Sequence, residues 1–271
     1  MNNNNWPGNL IEAEWLLENL SSPGLRIFDA TWFLPKAERS GAEEFLQNHL
    51  PGAIHFDYDV RFHREGAPFP RTMPESHTFE KGLRDLGLNE NDSVVVYDNN
   101  GMFSSPRGWW MLKALGVKEV GVLNGGLSAW KEAGGKLESG QPKAHSEGNF
   151  KAEPNPHAFV DSKVVASALG NEGTRLLDAR SGERFTDAHM PGADNLPYSD
   201  LLEDGFFRDV DSLSEYYDNR PLICTCGSGV TACVLALGAT LAGKEDVSVY
   251  DASWSEWGKN DALPKEGDSV S

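Results

Sequence analysis

The sequence predicts an α/β protein of two tandem domains, each a parallel sheet with helices on both faces. Three observations predict it. The chain says nearly the same thing twice. Each half alternates short apolar runs with longer helical ones. A patternless stretch rich in Gly, Pro, Ser, Lys and Glu lies between them. At 271 residues the chain is long for one core and comfortable for two.

Four segments repeat in the same order. Arg-Ile-Phe-Asp-Ala at 26–30 matches Arg-Leu-Leu-Asp-Ala at 175–179, and His49-Leu50-Pro51-Gly52-Ala53 matches His189-Met190-Pro191-Gly192-Ala193. The run 94–97 followed by Asp98 matches 222–225 followed by Cys226. Asn124 to Trp130 matches Asp251 to Trp257. The period is too long for a solenoid, so a whole domain is duplicated.

In the first copy, 15–20 reads as a helix, 26–29 as a strand, 41–48 as a helix and 54–56 as a short strand. After the irregular stretch 62–74 come a helix at 76–86, a strand at 94–97, a helix at 106–115, a strand at 120–123 and a closing helix from near Leu127. The stretch 137–156 is a linker, which sets the domains at 1–136 and 157–271. The second copy has a helix at 161–169 and strands at 175–178 and 222–225, with a helix at 230–243. The tail after Lys259 is polar and is expected to add little to either core. Short apolar strands between helices imply parallel sheets, whose ligands bind beyond the carboxyl ends of the strands.

Composition narrows the partners. With 24 Lys+Arg against 41 Asp+Glu the formal charge is −17, a field that repels nucleic acid and anionic membrane. The polar start, Met1 to Asn5, is expected to fray; it has no basic or apolar signal-peptide region, and no apolar run is long enough to span a bilayer. Three cysteines, an odd number, point away from a disulfide framework and towards a reducing cytoplasm. Cys224, Cys226 and Cys233 lack a fourth ligand nearby, so no metal is expected.

Chemistry is expected at Cys226. It follows a buried strand and precedes Gly227-Ser228-Gly229, then a helix start. The glycines let several N–H groups turn inward as an anion-binding nest, and the helix end adds partial positive charge. A sulfur at that mouth is favoured as a thiolate. The competing reading is a structural cysteine in a glycine turn. A thiolate phosphatase needs an Arg six positions after its Cys, and that position is Ala232.

The loop Cys226-Gly227-Ser228-Gly229-Val230-Thr231, the repeated His-x-Pro-Gly-Ala, Asp178-Ala179-Arg180 and Ser255-Glu256-Trp257-Gly258 together resemble the tandem rhodanese-type sulfurtransferases. Within that family the loop resembles that of members using 3-mercaptopyruvate. The resemblance implies two rhodanese-like domains, the first catalytically silent because Asp98 stands where the second has Cys226. It implies a Cys226 persulfide, no cofactor, and a thiol, cyanide or reduced thioredoxin as acceptor. Thiosulfate-selective members carry basic residues in the loop, where this chain has Gly227 and Ser228.

The resemblance also assigns roles. Gly227, Gly229, Val230 and Thr231 line the donor, with Thr231 expected to cap the helix. Arg184 matches the residue that grips the donor carboxylate; the competing reading is a solvated pair with Asp187 or Glu183. A second family Arg lies in a longer loop that this chain lacks, and Arg107 is a candidate to replace it or else an ion-pair residue. Ser228 is the proton relay, helped by Asp59, which could equally be a loop cap. Where many members have a His, this chain reads Arg71-Thr72-Met73-Pro74. Trp32 resembles a family residue near the domain cleft, although Trp is more often core. His49, His189, Asp29 and Asp178 are expected to tie loops to the backbone. Two rival readings stay open: a thiosulfate sulfurtransferase, and a non-catalytic rhodanese-like relay or binding module.

Overall fold

A computed structural model describes residues 6–270 of the chain. The expectation for Met1 to Asn5 lies outside the described residues. The chain forms two compact units. One gathers the chain up to Phe62 together with Pro74–Asn155; the other takes His63–Met73 and everything from Pro156.

The first unit runs β1 (Leu10–Ile11), α1 (Ala13–Asn19), β2 (Leu25–Asp29), α2 (Gly41–Gln47), β3 (Ile54–His55), α3 (Ser76–Asp85), β4 (Ser93–Tyr97), α4 (Ser105–Ala114), β5 (Val120–Leu123) and α5 (Gly126–Glu132). Its strands make one parallel sheet in the order β1-β5-β4-β2-β3. Central β4 is Ser-Val-Val-Val-Tyr with its last four residues buried, a β-branched run covered on both faces. α2 starts where the Ser40 hydroxyl accepts the Glu43 N–H.

The second unit runs β6 (Phe159–Val160), α6 (Ser162–Ala168), β7 (Arg175–Asp178), α7 (Gly182–Asp187), β8 (Asp194–Asn195), β9 (Leu202–Glu203), β10 (Phe206–Phe207), α8 (Val210–Ser214), β11 (Leu222–Thr225), α9 (Ala232–Leu241), β12 (Val247–Tyr250) and α10 (Trp254–Trp257). Its parallel sheet is ordered β6-β12-β11-β7-β8, position for position the order of the first. The duplication seen in the residues is therefore a duplication of topology, and the α/β reading of two parallel sheets holds. α9 is buried without interruption from Ala232 to Ala239, so it has no polar face to present. Among the described residues no helix is long and apolar enough to cross a membrane.

Three segments behave differently from the sequence reading. The irregular 63–73 stretch belongs to the second unit: Phe69 packs on the core of Val165, Leu176, Met190, Ile223, Tyr250, Ala252 and Trp257, and Met73 N–H donates to the Asp251 carboxylate at 2.8 Å. The tail after Lys259 does contribute to a core, because Leu263 packs on the same cluster. It also straps α7: Asp268 N–H donates to the Thr186 carbonyl at 2.9 Å and Ser269 N–H to that of Asp187 at 3.0 Å. The 137–155 stretch lies along the first unit, with Glu138 bridged to His49 and Phe150 N–H donating to the Leu88 carbonyl.

Candidate active site

β11 ends at Thr225, whose carbonyl accepts the Ala179 N–H at 2.9 Å and closes the ladder. Cys226 follows at once and is only 2 % exposed. The chain then turns through 227–231 into α9, which begins at Ala232, two residues later than the apolar pattern suggests. Gly229 makes the turn with φ at 76°. Gly227 is not left-handed and serves a different purpose. A Cβ there would lie 3.1 Å from Nη2 of Arg184, so its small size leaves room for a guanidinium. Thr231 stands at the N-cap of α9, but its side chain makes no capping bond, which corrects that expectation.

The first unit shows what such a loop does. Asp98, fully buried after β4, turns its carboxylate back into the loop that follows. It accepts the N–H groups of Asn100 (3.0 Å), Met102 (3.1 Å), Ser104 (2.8 Å) and Ser105 (2.7 Å), and the Ser105 hydroxyl at 2.8 Å. The loop is a ring of donors closed around an anion that the chain itself supplies. In the second unit Cys226 has the place of Asp98. The N–H groups of Ser228, Val230 and Ala232, at the spacings of Asn100, Met102 and Ser104, have no partner among the described residues. A thiol side chain cannot accept them all, so they are left for charge that develops at the sulfur.

The Cys226 backbone is held from α10. Trp254 N–H donates to the Cys226 carbonyl at 3.0 Å and Ser255 N–H to that of Gly227 at 2.8 Å. Cys226 N–H donates to the Ser253 hydroxyl at 3.1 Å. Arg184 projects from α7 and stays exposed, with no carboxylate partner among the described residues. Asp187 accepts instead from the Ser269 hydroxyl of the tail strap, so the pair with Arg184 is not made. Behind the loop, Arg180 is held bidentately by Asp178, both nearly fully buried, and its guanidinium lies over the Trp254 ring at 4.5 Å.

The description "rhodanese-like domain" fits residues 12–133 and again 161–260. The chain belongs to the rhodanese-like family. It is 36% identical to 3-mercaptopyruvate sulfurtransferase of Escherichia coli strain K12, over 94% of this chain and 97% of that one. It is 35% identical to thiosulfate sulfurtransferase of Gallus gallus, over 92% of each. The crystal structure of SseA from Escherichia coli, described as a 3-mercaptopyruvate sulfotransferase, superposes with a TM-score of 0.85 at 36% identity, covering 92% of this chain and all of that one.

In this rhodanese-like chain the second unit brings together Cys226, Gly227, Ser228, Gly229, Val230, Thr231 and Arg184. Ser228 is half-buried and Val230 buried. Trp32, Arg107 and Asp59 lie in the first unit. Trp32 N–H donates to the Ser104 hydroxyl at 3.2 Å, and its ring stacks on Phe103, so it flanks the Asp98 loop. Arg107 is fully buried in the first turn of α4. Asp59 N–H donates to the Asp57 carboxylate at 3.1 Å within a turn.

The expected structural residues do tie loops to backbone. His49 and His189 bond the Phe45 and Phe185 carbonyls through Nδ1, and Asp29 and Asp178 accept the N–H groups of Thr31 and Arg180. Burial pushes the Cys224 thiol well up, so it is protonated at neutral pH. Cys233 is buried and donates its thiol to the Gly229 carbonyl at 3.3 Å. Ser253 is the residue sequence reading missed. Its signal was present in the repeat, because Ser253 stands where the first copy has Gly126. Arg71, in place of the family's His, is 9% exposed with a left-handed φ of 59°.

Proposed function

We propose that this chain is a sulfurtransferase that takes the thiol sulfur of 3-mercaptopyruvate onto Cys226 and passes it to a thiol or cyanide, releasing pyruvate. The observation that carries this reading is a buried cysteine followed by a loop whose N–H groups at Ser228, Val230 and Ala232 have no partner among the described residues, where the equivalent N–H groups of the first unit close on the Asp98 carboxylate. The Cys226 thiolate attacks the donor sulfur, the carbon–sulfur bond breaks, and its electron pair leaves with pyruvate as the enolate. The new persulfide gives up the former thiol proton, and Ser228 relays a proton to the enolate carbon. The persulfide anion then rests against the loop N–H groups. A nucleophilic acceptor takes the outer sulfur and returns the Cys226 thiolate.

Identity alone does not choose the donor, since relatives named for either donor stand at nearly the same identity. The loop supports 3-mercaptopyruvate, because Gly227 and Ser228 bring no cation of their own and Arg184 supplies one against Gly227 for a carboxylate. Reduced thioredoxin or a small thiol is the proposed acceptor and a reducing cytoplasm the proposed compartment, the latter supported by three cysteines that are all free. Pyruvate release with cyanide as acceptor tests the reading. Turnover with 3-mercaptopyruvate is expected. A folded protein that turns over thiosulfate equally well would favour the thiosulfate reading, and one inert to every donor would favour a binding module.

A further inference from the structure

Ser253 has a backbone that its side chain should not tolerate. Its φ is 52° and its ψ −144°, a region that is nearly the preserve of glycine. At the equivalent place the first unit has Gly126, with φ at 56°. The two turns otherwise do the same work: Leu127 N–H donates to the Asp98 carbonyl at 2.9 Å, and Trp254 N–H to the Cys226 carbonyl at 3.0 Å. A Cβ on Gly126 would come within 2.3 Å of the Asp98 carbonyl oxygen, so the first unit has no space for a side chain there. The second unit makes the space and accepts the strain.

What it gains is one hydroxyl in a fixed orientation. Ser253 is fully buried, and its O–H donates to the Tyr250 carbonyl at 2.7 Å. With that hydrogen engaged, an oxygen lone pair is left for the Cys226 N–H at 3.1 Å. That amide is the first beyond the β11 ladder and is buried, so without Ser253 it has no acceptor. The peptide joining Thr225 to Cys226 would then keep only its other tie, the Thr225 carbonyl on the Ala179 N–H at 2.9 Å, and a tilt about that bond would shift the sulfur relative to the loop N–H groups.

We propose that Ser253 is a positioning residue for sulfur transfer, whose hydroxyl holds the Cys226 peptide so that the thiolate stands on the ring of loop N–H groups. This rests on the reading of Cys226 as the nucleophile. The side chain acts through Cys226 and touches no donor.

Two variants separate positioning from mere support. Ser253→Gly and Ser253→Ala both remove the hydroxyl, but Gly relieves the left-handed strain and Ala keeps it. The measurements are the unfolding midpoint, kcat and KM for 3-mercaptopyruvate, and the pH profile of Cys226 alkylation by iodoacetamide. The expected result is a similar fall in kcat in both, roughly tenfold to hundredfold for a misplaced nucleophile. The alkylation profile should move to higher pH equally in both, with KM nearly unchanged, although Ser253→Gly unfolds at the higher temperature. Activity that follows the unfolding midpoint, or an alkylation profile that stays put, overturns the proposal. A measurement on the unmodified protein applies whether or not the variants fold. The Cys226 amide should exchange with deuterium far more slowly than that of Ser228, and equal rates also overturn the proposal. Failure of the unmodified protein to transfer sulfur would instead sink the proposed function.

Discussion

The guanidinium of Arg184 stands over the α-carbon of Gly227, with Nη2 3.1 Å from where a Cβ would lie. A cation so placed stands at the residue that follows Cys226, which suits a donor whose carboxylate and transferable sulfur are separate groups. Arg184→Ala removes a charge-assisted bond, so KM for 3-mercaptopyruvate should rise roughly tenfold to hundredfold with less change in kcat. Gly227→Ala pushes the guanidinium aside and should raise KM in the same direction by a smaller factor. Steady-state kinetics check both, and an unchanged KM in Arg184→Ala would return that residue to the surface.

Donor choice follows from the same contact. A dianionic donor meets no cation inside the loop, and each missing charge-assisted bond forfeits about 1.5–3 kcal/mol. The kcat/KM ratio of 3-mercaptopyruvate to thiosulfate should be on the order of a hundred or more. Gly227→Arg with Ser228→Lys should move that ratio towards thiosulfate, but the new Arg must displace Arg184. Ser228→Lys alone is therefore the cleaner variant. It should also slow 3-mercaptopyruvate turnover, since the relay hydroxyl is lost. A ratio that does not move shows that loop charge does not set the donor.

Asp98 gives a prediction of the opposite kind, stability without catalysis. Asp98→Ala leaves four loop N–H groups, three of them buried, and the Ser104 and Ser105 hydroxyls without this acceptor. A buried donor left without its acceptor costs about 1–3 kcal/mol. Denaturant unfolding should show that loss, while kcat at a temperature where the variant is folded stays near that of the unmodified protein. A drop in kcat with no loss of stability would mean that the first unit is not silent.

The three cysteines should behave differently. Cys226→Ser should abolish transfer. Cys224→Ser should keep most of it, because burial holds that thiol protonated at neutral pH. Cys233→Ser should also keep most of it, since a hydroxyl can still donate to the Gly229 carbonyl that the thiol now reaches at 3.3 Å. Labelling with iodoacetamide at neutral pH should reach Cys226 first.

Much of this was legible in the residues, for physical reasons. Apolar runs of four residues such as Val94–Tyr97 and Leu222–Thr225 are too short for buried helices and read as buried strands, and the repeat carried their order from one half to the other. The edge strands Leu10–Ile11 and Phe159–Val160 are two residues long and carry no period, so they could not be seen. The role of the tail is not legible because Leu263, which packs on the core, stands among polar neighbours, and the strap on α7 is made by backbone groups. Gly227 was legible as a glycine but not for its reason, which is the guanidinium beside it and not its φ. Ser253 was the hardest, because nothing about a serine announces a left-handed backbone. Only its duplicate, Gly126, hints at it.

The central claim is that Cys226 carries the sulfur, and the most direct test is the mass of each cysteine-bearing peptide after the protein is mixed with 3-mercaptopyruvate and no acceptor. The account predicts a gain of one sulfur on the Cys226 peptide, lost again on adding cyanide. A gain on Cys224 or Cys233 with none on Cys226, or no gain anywhere while pyruvate is still released, would contradict it.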